Sequence, residues 1–441
     1  MPDSSLDPVK LPLASAARSD VLEMPDGPLT VRRSILPGGV RVITEELPGT
    51  QTTTLGLWVA TGSRDEQESE AGASHFLEHL LFKGTPTRSA FDIAAAFDEV
   101  GGESNAATSK ETTHYWAKTL DSDADMTLAT LTDMVTSSLI TDEDVNTERT
   151  VIIDELAMAE DSPADVVHEA FATALFGDDP LGRPIGGTTA SVSDLPAETI
   201  RELYRRHYHS RNLIVAGAGH LDHEQICAGL SQALALTDWD RDEAAAPASR
   251  DLLAGTGSEP PLEVVDRREV EQAHILVGSR WLNATDEQRP TSNVLLTILG
   301  GGMSSRLFQE IRERRGLAYT TYAFDSAYLD TGYFGLYAGC APENVDEVER
   351  IMWGEVEKLA EAGVPEAELR RAKGQLRGNL ALGLESSASR MMRLGRSEVT
   401  ERFISVDAAL ARIEAVQVEE IRQMAEQMLA GPRARALVTN R

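Results

Sequence analysis

Residues His75 to His79 form the segment HFLEH, and the spacing of its two histidines constrains the local fold. On an α-helix, residues i and i+4 lie one above the other on the same face. Two imidazole rings held in this way can bind one zinc ion. Glu78 lies beside the second histidine, where a carboxylate can reach a water molecule at the metal. We therefore expect a helix here, with a candidate metal site on one face.

The HFLEH pattern is the inverted form of the HExxH signature, in which one helix supplies two zinc ligands and a general base. The chain has nine histidines in 441 residues. Composition alone would therefore place the pattern in roughly one such chain in a hundred. The alternative interpretation is a helix that carries two histidines on its solvated face. A third ligand further along the chain decides between the two.

A catalytic zinc ion needs three protein ligands and one position left for water. Residues 142–161 read DEDVNTERTVIIDELAMAED, and their apolar side chains recur mostly at steps of three or four, which predicts a half-buried helix. Glu148 and Glu155 lie two turns apart along one side of it. We predict Glu155 as the third ligand and Glu148 as a residue that orients a ligand. The alternative is that both are solvated helix carboxylates.

A family pattern covers nearly the whole chain from about Leu29 onward. The segments that carry it are HFLEHLLFKGT, VGGESNAATSKETTHYW, ERTVIIDELAMAED, DDPLGRPIGG and LGGGMSSRLFQEIRERRGLAYTTY. Together they resemble the pitrilysin-type inverzincin metallopeptidases. The closest branch is the β-subunit of mitochondrial processing peptidase with its single-chain bacterial relatives.

The resemblance implies a zinc-dependent endopeptidase that hydrolyses peptides or unfolded protein segments. It assigns one zinc ion per chain to the two histidines of HFLEH and Glu155, and the role of general base to Glu78. It also implies that Arg312 and Tyr319 reach into the site from the second half and donate hydrogen bonds to the oxyanion. For this pair the alternative is ordinary packing and solvation. The competing interpretation of the whole chain is a non-catalytic scaffold subunit of the same fold. Such subunits have usually lost parts of the zinc motif, all of which is present here.

Two similar halves with mixed strands and helices predict an α+β fold class. Residues 29–236 are the expected zinc-bearing domain and residues 262–441 a second, metal-free domain. Residues 1–28 are the expected flexible N-terminal arm. Residues 237–261, rich in Ala, Pro, Asp and Gly, are the expected linker. The similar element order of the halves indicates an internal duplication, and the resemblance implies a clamshell around a central chamber.

A peptide substrate is expected to add as a strand to an exposed sheet edge that includes Asn105 and Ala106. Asp165 and Glu169 lie near the place where related processing enzymes hold a substrate arginine. The glycine run Gly300–Gly302 is a helix stop and tight turn in one interpretation. In the other interpretation it is a loop that touches substrate.

Acidic residues are concentrated in the half that carries HFLEH. Residues 1–200 contain 12 Lys and Arg against 35 Asp and Glu, which accounts for most of the net charge of −30. Nucleic acid is excluded as an expected partner, because phosphate binding requires basic patches. Since an acidic surface attracts cationic ligands, we hypothesise a preference for basic peptide segments. The alternative is a generally solubilising acidic surface.

Sequence features that direct a chain to a membrane or to export are not found. No run of eighteen apolar residues occurs, so no transmembrane helix is expected. The first twenty-eight residues lack the apolar region of a secretory signal. Cys227 and Cys340 lie in apolar contexts and are expected to be free thiols. We expect a cytoplasmic protein. We also expect a homodimer, because the second half already carries Arg312 and Tyr319.

Overall fold

The computed structural model describes residues 7–250 and 259–441. The strands are β1 Val9–Lys10, β2 Leu22–Asp26, β3 Leu29–Leu36, β4 Val40–Glu46, β5 Thr52–Val59, β6 Glu103–Thr108, β7 Thr113–Leu120, β8 Leu213–Gly219, β9 Glu263–Arg267, β10 Ala273–Trp281, β11 Ala318–Ala327, β12 Gly332–Cys340, β13 Arg402–Phe403 and β14 Ala434–Thr439. The α-helices are α1 Ala73–Leu80, α2 Ala90–Asp98, α3 Ala124–Ser137, α4 Asp142–Glu160, α5 Pro163–Phe176, α6 Thr189–Asp194, α7 Ala197–His207, α8 His223–Leu234, α9 Arg289–Gly300, α10 Val345–Ala362, α11 Glu366–Gly383, α12 Ser387–Val399, α13 Val406–Ala415 and α14 Val418–Ala430.

The first sheet has the strand order β2-β3-β4-β8-β5-β7-β6. Neighbouring strands are antiparallel except for β4 and β8, which run parallel. Side chains along β7 alternate between buried and partly exposed, as expected for a strand with one face in the core. Leu55 and Leu57 of β5 lie in the same buried cluster as Phe76 and Leu77 of α1. The sheet therefore supports the helix that carries HFLEH.

The second sheet has the order β11-β12-β10-β14-β9, with β14 and β9 parallel and the other neighbours antiparallel. Its order matches the part of the first sheet that reads β4-β8-β5-β7-β6. In both sets of five strands, the first strand in the chain pairs in parallel with the last, and the other three strands follow in the same spatial order. The shared order is the pattern expected of an internal duplication.

The predicted α+β fold class is confirmed. Helices make up 48% of the structure and strands 22%, and antiparallel neighbours dominate both sheets. Among the described residues, none of the helices has both the length and the apolar character that a membrane span requires.

The chain forms two compact units, and their boundaries differ from the predicted ranges 29–236 and 262–441. The first unit comprises Met1–Leu156, Pro184–Ala254 and Leu382–Ala408, and the second comprises Ala157–Arg183, Gly255–Ala381 and Ala409–Arg441. Helix α5, from the first half of the sequence, therefore belongs to the second unit. Helix α12, from the second half, belongs to the first unit.

Apolar burial explains this exchange of helices. Helix α5 packs on β14 and β10, where Val167 and Phe171 are buried in one cluster with Leu276. Helix α12 packs on β8 and β5, where Met391 is buried in one cluster with Trp58. Each helix thus removes its apolar face from water on a sheet to which its sequence position does not assign it.

The predicted arm at residues 1–28 is instead part of the first unit where it is described. Strand β2 pairs with β3, and β1 pairs with β13. Leu11 and Met24 are buried, with 0% and 2% of their surface exposed, and they join the cluster that includes Phe403. The apolar side chains of this segment hold it in place. Residues 1–6 lie outside the described residues.

The predicted linker at residues 237–261 is anchored over its described first part. The N–H group of Gly38 donates a hydrogen bond to the carbonyl oxygen of Asp242 over 2.9 Å. The guanidinium group of Arg250 pairs with the carboxylate of Asp65 at 2.5 Å and donates to the carbonyl oxygen of Ala60 over 3.2 Å. These contacts fix the chain as far as Arg250 in the first unit. Residues 251–258 lie outside the described residues.

Candidate metal centre

Helix α1, which carries HFLEH, begins beside a buried carboxylate. The chain enters the helix through Gly72, which has a φ of +95° and whose missing Cβ would lie 2.7 Å from the carbonyl oxygen of Gly186. The Glu66 carboxylate accepts hydrogen bonds from the N–H groups of Gly72 (2.9 Å) and Ser74 (2.6 Å). The first N–H groups of a helix lack partners within it and carry partial positive charge. Glu66 therefore fixes the start of the helix.

One face of α1 is buried and the other faces the candidate site. Phe76, Leu77 and Leu80 have 0% of their surface exposed and belong to the core of the first unit. Glu78 and the two histidines of HFLEH remain partly exposed. The apolar residues thus set the rotation of the helix, and this rotation places the polar residues on the opposite side.

Helix α4 brings the third predicted ligand to the histidine pair. Val145 and Ile152 of α4 are buried in the same cluster as Phe76 of α1. The guanidinium carbon of Arg149 lies 5.5 Å from the centre of the Phe76 ring. This packing sets the position of α4 so that Glu155, three residues after Ile152, lies beside the site.

The ligand atoms of His75, His79 and Glu155 all lie within 4.8 Å of one another. The Oε2 atom of Glu155 is 3.4 Å from Nε2 of His79 and 3.9 Å from Nε2 of His75. Zinc binds nitrogen and oxygen at about 2.0–2.2 Å in tetrahedral geometry, which requires ligand atoms about 3.3–3.6 Å apart. The separation between Glu155 and His79 lies in this range, and the separation between Glu155 and His75 is longer. Two imidazoles and one carboxylate are a donor set that suits zinc and leaves a fourth position open.

The second carboxylate of α4, Glu148, contacts a candidate ligand. Its Oε2 atom lies 3.1 Å from Nδ1 of His79, and its Oε1 atom lies 2.5 Å from Nζ of Lys83. Only 4% of the Glu148 side chain is exposed. An Nδ1–H group of His79 donates a hydrogen bond to this carboxylate, which leaves Nε2 with a free lone pair on the side of Glu155.

Burial and nearby charges change the pKa of His75, the other candidate histidine ligand. Burial lowers the pKa of His75, and the neighbouring His79 lowers it further, while the negative charges of Glu78 and Glu155 partly offset this effect. A lowered pKa favours the neutral imidazole, which is the form that binds a metal. The Nδ1 atom of His75 is buried without a hydrogen-bond partner in the described residues. Gly186 lies beside it, where a Cβ would be 3.5 Å from that atom.

Arg312 and Tyr319, for which the resemblance implies a role in the site, lie in the second unit. Arg312 lies in a π-helical turn, Phe308–Glu313, a rare geometry that often marks functional positions. Its guanidinium group donates a hydrogen bond to the carbonyl oxygen of Tyr319 over 3.0 Å. The guanidinium carbon lies 4.3 Å from the centre of the Tyr319 ring and 4.8 Å from that of Phe308. The two predicted residues thus form one contact, and 71% of Tyr319 is exposed.

The residues predicted to bind substrate lie in two places. Asn105 and Ala106 are on β6, which is the edge strand of the first sheet. Asp165 and Glu169 are exposed on α5 in the second unit, one helical turn apart.

The glycine run Gly300–Gly302 lies at the end of α9, and the carbonyl oxygen of Gly301 accepts a hydrogen bond from the side chain of Gln375.

Two residues at the site are absent from the sequence prediction. Glu66 precedes α1 in a polar loop, where nothing in its neighbourhood distinguishes it from a solvated carboxylate. Lys83 lies in the turn after α1, which ends at Leu80, so helical spacing from His79 gives no signal for it.

Two family models match the chain, "Insulinase (Peptidase family M16)" over residues 41–189 and "Peptidase M16 inactive domain" over residues 194–376. The chain belongs to peptidase family M16. An "uncharacterized zinc protease" of Streptomyces coelicolor is 47% identical to this M16 chain, covering 91% of the chain and 87% of the relative. A protein of the same description from Mycobacterium tuberculosis is 44% identical, with 92% of each chain covered. The protein YmxG of Bacillus subtilis, also described as an "uncharacterized zinc protease", is 34% identical, with 93% and 98% covered.

Solved structures share the fold of this chain. A protease from Helicobacter pylori matches with a TM-score of 0.86 at 20% identity, covering 92% of this chain and 99% of that one. A peptidase M16 inactive domain from Pseudomonas fluorescens matches with a TM-score of 0.84 at 18% identity, covering 93% and 98%. The mitochondrial processing peptidase branch stays a prediction.

Proposed function

We propose that this M16 chain is a zinc-dependent endopeptidase that binds one zinc ion per chain through His75, His79 and Glu155. The observation that carries the proposal is the convergence of these three ligand atoms within 4.8 Å of one another. A structural zinc site normally fills all four positions with Cys or His. Two imidazoles and one carboxylate instead form a donor set typical of a catalytic site.

Glu78 is the general base in this proposal. When bound, zinc acts as a Lewis acid that activates water and polarises the scissile carbonyl group. Glu78 accepts the proton of the attacking water and then donates it to the leaving amine. Its position supports this role, because it lies between the two ligand histidines in sequence and its charge acts on His75.

Arg312 and Tyr319 are proposed to donate hydrogen bonds to the oxyanion. The resemblance assigns them this role, and their chemistry supports it because both side chains are donors. Arg312 donates a hydrogen bond to the carbonyl oxygen of Tyr319 over 3.0 Å and lies over its ring, so the two residues are in direct contact. The Tyr319 hydroxyl is on an exposed side chain and is available to a ligand.

A peptide substrate is proposed to add to the edge strand β6. The side chain of Asn105 accepts a hydrogen bond from the N–H group of Ala106 over 2.8 Å, so this N–H group can be reached from outside the β6–β7 ladder. The carbonyl oxygen of an added strand can take the place of the Asn105 side chain. Main-chain pairing of this kind tolerates many substrate sequences.

A preference for basic segments is proposed from charge. The half of the chain that carries the ligands has 35 acidic against 12 basic residues, and Asp165 and Glu169 are exposed on one side of α5. Cationic peptides are attracted to such a surface and meet it more often. The closed chamber, which the resemblance implies, the homodimer and the cytoplasmic location stay predictions, and sedimentation velocity tests the homodimer.

A quenched fluorescent peptide tests the proposed activity. Purified protein should cleave an unstructured peptide, lose this activity in a chelator and recover it when zinc is added back. Mass spectrometry of the products should show cleavage at internal bonds. Absence of cleavage in the zinc-loaded protein, at a measured stoichiometry of one zinc, would reject the enzyme and favour a scaffold.

A further inference from the structure

Glu148 is a nearly buried carboxylate whose two oxygen atoms have different partners. The Oε2 atom lies 3.1 Å from Nδ1 of His79, and the Oε1 atom lies 2.5 Å from Nζ of Lys83. The exposed fraction of the Glu148 side chain is 4%, compared with 33% for Lys83. One carboxylate thus links a candidate metal ligand to a partly exposed cation.

The contact with Lys83 sets the orientation of the carboxylate. A hydrogen bond between two charged groups is short and about twice as strong as a neutral one. A buried carboxylate is also costly unless it is paired. Among the described residues, the cation that pairs with Glu148 is Lys83. With Oε1 held in this way, Oε2 faces His79.

Lys83 is itself well placed by its backbone. Its N–H group donates a hydrogen bond to the carbonyl oxygen of Leu80 over 3.0 Å, and the next residue, Gly84, accepts one from the N–H group of Leu139 over 3.1 Å. The turn that follows α1 is therefore fixed at both of these points. The segment that supplies two metal ligands also supplies the cation that positions the partner of one of them.

We propose that Lys83 is a positioning residue that increases zinc affinity by holding Glu148 against His79. The inference rests on the proposed zinc site and adds a residue to it. Lys83 touches neither substrate nor metal in this proposal. Without its ammonium group, Glu148 is a buried carboxylate with one partner, and its side chain turns towards water and away from His79. Loss of the partner of a ligand histidine typically lowers metal affinity by roughly 10- to 100-fold.

Zinc affinity of the full chain tests the proposal, measured by competition with a chromophoric chelator at one neutral pH. Lys83→Met, which keeps the aliphatic stem, should weaken zinc binding by roughly 10- to 100-fold. Lys83→Arg, which keeps a cation, should restore most of the affinity. Lys373→Met is the matched control, because Lys373 is a partly exposed lysine on α11 of the second unit whose ammonium group donates a hydrogen bond to the carbonyl oxygen of Glu414 over 2.7 Å. This control should bind zinc as the unaltered chain does.

A double-mutant cycle separates positioning from a general loss of structure. Glu148→Gln still offers an oxygen atom to His79 but carries no charge that needs Lys83. Lys83→Met should therefore cause little further loss of affinity in the Glu148→Gln background. If Lys83→Met fails to fold, Lys83→Gln replaces it in the same cycle.

Two results would overturn the inference alone, namely unchanged zinc affinity in the Lys83 variant or losses that multiply across the cycle. If the proposed function itself is wrong, the result is different, because the unaltered chain would then bind less than one zinc ion per chain. That result would overturn both proposals together.

Discussion

The Nε2 atom of His79 lies 3.4 Å from the Oε2 atom of Glu155, although the two residues belong to different helices. Tetrahedral zinc requires its ligand atoms to be about 3.3–3.6 Å apart, so this separation already suits the metal. The contact depends on how α1 and α4 pack on a common core, which the buried residues Phe76 and Ile152 share. The packing of the core therefore sets the geometry of the candidate site.

Replacement of the carboxylate ligand should remove the metal. Glu155→Gln keeps the size of the side chain but loses the negative charge that zinc prefers in an oxygen ligand. We expect much less than one zinc per chain after dialysis, measured by plasma mass spectrometry. Asp154→Asn is the matched control, because Asp154 is the exposed neighbour on the same helix and should leave the zinc content unchanged. Full zinc occupancy in Glu155→Gln would reject Glu155 as a ligand.

Replacement of Glu78, the proposed general base, should abolish most of the peptide hydrolysis without loss of zinc. Glu78→Gln cannot accept a proton, so kcat should fall by about 10²- to 10⁴-fold. Zinc content should stay at one per chain, since the ligands are untouched. Turnover close to that of the unaltered chain, with zinc present, would assign the proton transfer to another group.

The two helices that carry the candidate ligands, α1 and α4, could be predicted because the spacing of residues within each short segment indicates a helix. The i, i+4 spacing of HFLEH indicates a helix, and the structure has one at Ala73–Leu80. The three- and four-residue steps of α4 likewise predict the observed helix Asp142–Glu160. Spacing alone did not exclude that Glu148 and Glu155 are solvated carboxylates, and the resemblance supported Glu155 as the third ligand.

The features that escaped prediction depend on packing between distant segments. Helices α5 and α12 are amphipathic, and an apolar face does not encode which of two similar sheets it covers. Residues 7–28 read as polar and Pro-containing, yet Leu11 and Met24 fill gaps in a core made by β13 and the first sheet. Glu66 caps α1 through backbone N–H groups, and such a contact leaves no pattern in the sequence.

Removal of one hydroxyl group tests the oxyanion role of Tyr319. Arg312 contacts the ring and the backbone carbonyl of Tyr319, and both persist in Tyr319→Phe. The variant therefore deletes a donor without disturbing Arg312, and kcat should fall by about 10²-fold, as for other oxyanion donors. Steady-state kinetics should show a smaller change in KM. Equal kcat values for the variant and the unaltered chain would leave Tyr319 without a catalytic role.

Salt should weaken the capture of basic peptides. Exposed charges are screened over about 10 Å at 0.1 M salt and about 3 Å at 1 M. The kcat/KM value of an Arg-rich peptide should therefore exceed that of a matched Asp-rich peptide at low salt, and the difference should shrink at high salt. The double variant Asp165→Asn with Glu169→Gln should reduce the preference at low salt. A preference that is absent, or that salt does not change, would reject electrostatic steering.

Acid should destabilise the first unit through His114. Its ring stacks on Trp58 with centres 4.3 Å apart, and its Nδ1 atom is buried without a partner in the described residues. Burial, with a smaller contribution from Arg396, lowers the pKa of His114 from 6.5 to about 4. The folded state therefore binds this proton less readily than the unfolded state. Stability from this residue is full above pH 6.5 and is lost as the pH falls towards 4, by up to roughly 3 kcal/mol.

His114→Phe keeps a ring on Trp58 and cannot be protonated, so it should lose less thermal stability than the unaltered chain between pH 7.5 and pH 5. Melting temperatures should be measured in excess chelator, because acid also protonates the zinc ligands. His207, whose pKa burial and the neighbouring Arg206 lower to about 4, should cause part of the dependence that remains. If His114→Phe shows the same acid sensitivity as the unaltered chain, then protonation of His114 does not limit stability, and other buried groups must account for it.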